Sequence, residues 1–270
     1  MRTGRPGIIF GTRDGTDPDD VSELARIRFG DIEGVIMGIP MLPDQLQFDQ
    51  ERALRAMERA VQLAGPVQFV GLGSALAAVA GRGSVLEAAC GIPVTTGNAA
   101  TAWAAVTVAR RVANGRPIAV LGGKGAVGRV IAEMLGAAVD PPDLAGFAVV
   151  VGAHTTGGVL APEALGAGTT LVDVALPPTL SGRAMPGTLV LPGESVALAP
   201  GWRRNAWGWC FHLVAGYGLQ SVYACLLEPL IALQTGRSTP FAQGRMVRPD
   251  AVVAFGVAAE AAGFRVRSPK

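Results

Sequence analysis

The sequence predicts an α/β fold: an N-terminal α/β substrate domain plus a reduced Rossmann-like domain with a mostly parallel sheet, closed by C-terminal helices. Three observations carry that expectation. Short apolar runs bounded by Gly, Pro and Asp alternate with segments of helical period. The stretch "IAVLGGKGAVGRVIAEMLGAA", residues 118–138, has the strand, glycine turn and helix layout of a dinucleotide-binding motif. The most apolar region, residues 144–180, is broken by glycines, prolines, Glu163 and Asp173, so it reads as buried parallel strands and not as a membrane span.

The elements follow in order. "GIIFG" and "EGVIMGIPML" are expected strands, and "DPDDVSELARIRFG" between them is expected to be helical from its acidic start. "PDQLQFDQERALRAMERAVQLAG" predicts one helix closed by glycine, with Leu46, Leu54, Met57, Ala60 and Val61 on its apolar face. "PVQFVGLGSALAAVAG" reads as strand, glycine turn and small-residue helix. About four helical turns then run from "TTGN" to Gly115, with Ala99, Ala102, Trp103, Val106 and Ala109 inward. "RPIAVLGG", "DLAGFAVVVGA" and "TTLVDVALP" are strands. From Gly201 the chain turns Trp-rich and irregular, and two helical patterns close it, around "SVYACLLEPLIALQTG" and "PDAVVAFGVAAEAAGF". The expected divisions are 1–97 for the substrate domain, 98–200 for the Rossmann-like domain and 201–270 for the C-terminal helical segment.

Composition bounds the function. A net charge of +2 over 270 residues, without a Lys/Arg block, argues against nucleic-acid binding. The N-terminus shows no signal-peptide core and no 20-residue apolar span occurs, so a cytoplasmic protein without integral membrane contact is expected. Three cysteines, Cys90, Cys210 and Cys225, are too few for a disulfide scaffold and read as free thiols.

The glycine turn offers Gly122, Gly123, Lys124, Gly125, Ala126, Val127 and Gly128, with Arg129 opening the helix. Its glycines allow a tight turn and close approach of a pyrophosphate, and the helix behind supplies free N–H groups. A glycine turn that merely packs a helix closely on a sheet has the same pattern. The strand expected next, "FAVVVGAHTT", ends in His154 and not in the acid that grips the ribose of NAD. Lys124 and Arg129 are cations suited to a 2′-phosphate, so NADPH is the expected cofactor.

An ordered set of segments adds to this reading: "GVIMGIPMLPDQL", "GLGSAL", "TTGNAATAW", "GGKGAVG", "LVDVALPPTL", "VYACLLEPLIAL" and "FAQGRMV…EAAGF". From about Gly34 to Phe264 the chain resembles the long-chain fatty acyl-ACP reductases of cyanobacteria, as a shortened relative. The resemblance implies NADPH-dependent reduction of an acyl thioester to an aldehyde, the acyl group arriving on acyl carrier protein or coenzyme A. It places the acylated nucleophile at Cys225. It also marks a departure: after the turn's helix the chain runs almost directly to what looks like the family's fourth strand, with roughly 40 residues absent by the doubly wound topology.

Beside Cys225, the candidate catalytic residues are Thr96 and Asn98 of the "TTGN" turn, as helix caps or carbonyl-polarising donors, and His154 as a proton donor. Glu228, three residues after Cys225, is placed to orient the thiol or to form a salt bridge. Cys210 and His212 in "WCFH" lack two further ligands at suitable spacing, so no metal site is expected. Trp202, Trp207 and Trp209 with Arg203 and Arg204 suit a lid, a carrier-protein patch, a core-and-rim role or a homo-oligomer contact. Other functions compatible with these residues are a cysteine-dependent acyl transferase or thioesterase without hydride transfer, a non-catalytic accessory protein binding a carrier or a nucleotide, and a Rossmann dehydrogenase or reductase acting on another carbonyl or imine.

Overall fold

The computed structural model of the chain describes residues 7–11, 20–204 and 220–267. The first third holds β1 (Gly7–Gly11), β2 (Ser22–Phe29), β3 (Ile32–Ile39), α1 (Pro43–Phe48), α2 (Gln50–Ala64), β4 (Val70–Gly73), α3 (Ser84–Cys90) and β5 (Val94–Thr95). The helix expected before "EGVIM" is instead a strand. In β2, Ala25, Ile27 and Phe29 are buried while Arg26 and Arg28 face out. That is a period of two, and it overrides the acidic start. A two-residue Gly30–Asp31 turn, with Gly30 at φ +58°, folds β2 back on β3.

Two expected helices are also divided. Asp49 separates α1 from α2, its side chain accepting from Arg52 N at 3.0 Å as the cap of the second. After β4 the chain makes only short 3-10 turns, because Gly81, Arg82 and Gly83 all take positive φ.

The second part runs α4 (Asn98–Ala113), β6 (Ile118–Leu121), α5 (Ala126–Leu135), β7 (Ala138–Val139), β8 (Val149–Gly152), β9 (Thr170–Asp173), β10 (Leu189–Pro192), β11 (Ser195–Ala197), β12 (Trp202–Arg204), β13 (Ser221–Tyr223), α6 (Leu227–Gln234), α7 (Pro249–Ala261) and β14 (Arg265–Val266). A six-stranded mixed sheet has the order β12-β2-β3-β1-β4-β5, and β13-β11-β14 form a small antiparallel sheet. The five-stranded sheet, β10-β9-β8-β6-β7, is parallel throughout, as expected of an α/β Rossmann-like fold.

Helix α4 is the central packing element. Beyond the expected stripe it buries Ala100, Thr101, Ala104, Ala105, Val108 and Ala113, so it is covered on nearly every side. One continuous core joins it to Ile27 and Phe69 of the first part, to Val149 and Val172 of the parallel sheet, and to Phe255 and Phe264 near the C-terminus. Two glycines set close contacts. A Cβ on Gly256 would lie 2.4 Å from Trp103 Cδ1, and one on Gly71 would lie 2.9 Å from Pro229 Cγ. Among the described residues no helix is long and apolar enough to cross a membrane.

Candidate functional site

The C-terminal ends of parallel strands are where an open α/β sheet binds ligands, at the point where strand order reverses. Here that point lies between β6 and β8, since β7 extends the sheet to one side and β9 and β10 to the other. The glycine turn leaves β6 at this place.

Its glycines divide by the reason for their smallness. Gly122 takes φ +81°, and a Cβ there would come 2.8 Å from Ala153 O. On Gly123 a Cβ would meet Val139 Cγ1 at 2.4 Å, and on Gly128 it would meet Gly122 O at 2.3 Å. These three are required by internal packing. Gly125, the N-cap of α5, has ordinary φ −74°. The nearest atom to a Cβ there is Gly122 O at 3.2 Å, a tighter contact than is usual but a milder one than at the other three. Ala126, Val127 and Gly128 follow as the first turn of α5, whose leading N–H groups have no intrahelical partner. Lys124 is exposed, and Arg129 Nη2 lies 2.8 Å from Met246 Sδ.

The strand after α5 corrects the sequence reading. It is not "FAVVVGA" but β7, two residues long, followed at once by Asp140. Asp140 Oδ1 accepts from Gly122 N at 2.7 Å and from Gly123 N at 3.4 Å. An acid therefore does stand at the end of the neighbouring strand, 18 residues after Gly122. A two-residue strand carries no periodic signal, which hid it. After Asp140 the chain crosses to β8 on the other side of β6, and among the described residues no strand lies beyond β7.

Cys225 sits in a 3-10 turn, Ala224–Leu226, between β13 and α6. The helical pattern expected through "SVYACLLE" starts only at Leu227, because Ser221–Tyr223 is claimed by pairing with β11. The thiol carrier lies directly on the "TTGN" turn. Gly97 takes φ +72°, and a Cβ there would lie 2.5 Å from Cys225 Cβ. Thr96 is buried, with its N–H donating to Ala242 O at 3.0 Å and its hydroxyl to the same oxygen at 3.3 Å. Asn98 opens α4 and is half-buried.

Glu228 holds this arrangement together and forms no surface ion pair, since it is fully buried. Its Oε2 accepts from Ala99 N and Ala100 N, both at 3.1 Å, which satisfies the start of α4. Its Oε1 accepts from Ala242 N at 2.8 Å and lies in hydrogen-bond contact with Thr95 Oγ1, which also reaches Ala242 O at 3.0 Å. Burial pushes this carboxyl up to about 7 against the pull of those donors. Both oxygens are committed, so its part is to tie Cys225's segment to α4.

Sequence reasoning passed over a neighbouring acid. Glu194 follows β10, and its backbone carbonyl accepts from Ala224 N at 2.9 Å. Desolvation, with Asp173 close by, pushes its carboxyl up to about 8. Tyr223 is pushed up to about 12 by burial and by the fields of Glu194 and Cys225. Asp173 itself is engaged with Thr179, accepting from its N at 2.8 Å and its Oγ1 at 2.7 Å. Nothing in the local pattern around Glu194 separates it from a surface acid, since only the strand crossing brings it beside Tyr223.

His154 is half-buried after β8, and a Cβ on Gly122 would come 3.0 Å from its backbone N. Its imidazole makes no hydrogen bond among the described residues. Trp202 packs against Phe29 and Phe264, with ring centroids at 6.5 and 6.0 Å, so it belongs to the core and not to a lid. Trp207, Trp209, Cys210 and His212 lie outside the described residues.

No protein-family model matches the chain. Over 282 aligned residues it is 24% identical to the aminotransferase PigE of Serratia sp. (strain ATCC 39006), covering 87% of this chain and 32% of that protein. The chain thus spans about a third of the curated relative it matches. A 5,10-methylenetetrahydrofolate dehydrogenase from the silkworm, Bombyx mori, overlaps 72% of this chain and 82% of its own, at 15% identity and a TM-score of 0.36, too weak a likeness to carry an argument. Both are named as enzymes. The expected membership of the acyl-ACP reductase family is corrected: no family model supports it, and the curated relative is named as an aminotransferase. The acyl-ACP reductase, thioester and aldehyde expectations that rested on that membership fall with it.

Proposed function

We propose that the chain is a nicotinamide-dinucleotide-dependent oxidoreductase acting on a carbonyl or imine carbon, with Cys225 lining the reactive cleft. The observation that supports it best is the glycine turn at the β6/β8 switch point: packing within the protein requires Gly122, Gly123 and Gly128, and Gly125, whose nearest neighbour for a Cβ is Gly122 O at 3.2 Å, leaves the start of α5 open to a pyrophosphate. The cofactor, when bound, supplies hydride transfer. The chain's own residues do the rest: the Ala126 and Val127 N–H groups would hold the pyrophosphate, and Cys225 lies against the Gly97 turn at the start of α4. Tyr223 Oη and Glu194 keep protons near neutral pH that can meet charge developing there.

The relative's name points to pyridoxal phosphate, which such enzymes hold as a Schiff base on lysine. Of the two lysines, Lys124 is exposed on the glycine turn and Lys270 lies outside the described residues. The described residues do not fit that cofactor, and no step is assigned to it.

Gly125→Ala provides the test. Cofactor binding is read by nicotinamide fluorescence, and folding by circular dichroism. The variant is expected to fold as the wild type does and to lose at least about tenfold in affinity, the cost of displacing one close backbone–phosphate contact. Unchanged affinity refutes the reading. Iodoacetamide labelling of Cys225 without any nucleotide binding by the wild type supports the second reading, a cysteine-dependent group-transfer enzyme without hydride transfer. The end of the sheet at β7 is the observation that favours it.

A further inference from the structure

We infer that Asp140 makes the adenosine end of this site specific for a ribose with a free 2′-hydroxyl, and so for NAD(H) over NADP(H). The inference rests on the dinucleotide reading above and reverses the cofactor expected from the sequence. The carboxylate is held by two hydrogen bonds: Oδ1 accepts from the N–H groups of Gly122 and Gly123. Gly123 lacks the side chain that would strike Val139, so the turn closes down on β7 and brings Asp140 to its mouth. Asp140 is exposed, and among the described residues Oδ2 takes no hydrogen bond.

An acid at the end of the strand beside the glycine turn faces the adenosine ribose in a doubly wound sheet. Oδ2 is then an ionised acceptor for a ribose hydroxyl, a strong kind of hydrogen bond. The same carboxylate opposes a 2′-phosphate, which is close to doubly charged at neutral pH. The cations in and directly after the turn are Lys124 and Arg129. Arg129 is turned onto Met246, and exposed Lys124 is the one cation in the turn itself.

The experiment measures dissociation constants for NADH and NADPH by nicotinamide fluorescence on the 270-residue chain and on Asp140→Asn. Asparagine keeps Oδ1 as an acceptor for Gly122 and Gly123, removes the charge and replaces Oδ2 with an NH2 donor. The wild type is expected to prefer NADH by at least roughly tenfold, and the variant to lose most of that preference, as removal of one charged hydrogen bond implies. Equal or tighter NADPH binding by the wild type overturns the assignment while leaving the dinucleotide reading intact. So does an unchanged preference in Asp140→Asn, which would make the carboxylate only a brace for the turn. Binding of neither nucleotide by folded wild type overturns both. Should Asp140→Asn fail to fold, Asp140→Ser carries the comparison, and the wild-type ratio stands by itself.

Discussion

Replacing Glu228 by glutamine separates its charge from its shape. At low pH the buried carboxyl is protonated: it can donate to Thr95 Oγ1, which then donates to Ala242 O, while Ala99, Ala100 and Ala242 N–H groups point at its oxygens. A glutamine cannot match this, because its NH2 must face either Ala242 N or the pair Ala99 and Ala100. That mismatch is expected to cost about 1–2 kcal/mol at pH 4.5. The sign of the pH effect follows from burial. The folded carboxyl titrates near 7 against an ordinary 4.5, so its contribution is fully present below pH 4.5 and is lost as pH rises through 7. At about 1.4 kcal/mol per pH unit, the wild type loses about 3 kcal/mol across that window, and the glutamine variant does not. Urea unfolding of both proteins between pH 4.5 and 8 reads the difference, in which slopes from other groups cancel. The stability gap should close and then reverse. Parallel curves, with a gap constant within about 0.5 kcal/mol, would refute the account of Glu228 as a buried titrating clamp.

Glu194→Gln has a second readout. The chain holds two tyrosines, and Tyr223 is raised partly by Glu194, so the variant should lower one of the two ionisations in an ultraviolet titration, whereas an unmoved curve would dissociate the pair. The wild type should also lose stability between pH 4.5 and 8 relative to this variant, by at most about 1.4 kcal/mol per pH unit. Gly97→Ala forces a side chain onto a positive φ and into Cys225 Cβ, with an expected loss of about 3 kcal/mol and a changed rate of iodoacetamide labelling at Cys225. Wild-type stability and labelling in that variant would show that the turn and the cysteine do not pack as described.

Patterns set by chain-local physics were legible in the sequence. The α/β class, the strand and helix around the glycine turn, the strands at 149–152 and 170–173, and helix α4 all follow from apolar runs punctuated by glycine and proline. In β2 the period of two and the Gly30–Asp31 turn outweigh the acidic start from which a helix is expected. Cys225 and "TTGN" were each singled out, but their contact across Gly97 joins residues about 130 apart and leaves no periodic trace. By itself, then, the sequence determined where strands, helices and glycine turns can form, since those depend on neighbours along the chain. Tertiary structure alone decided that Asp140 ends a strand, that Glu228 is a buried clamp, and that Glu194 stands beside Tyr223. Each of these depends on which strand lies next to which, and on the desolvation and hydrogen bonds found only once distant segments have packed together.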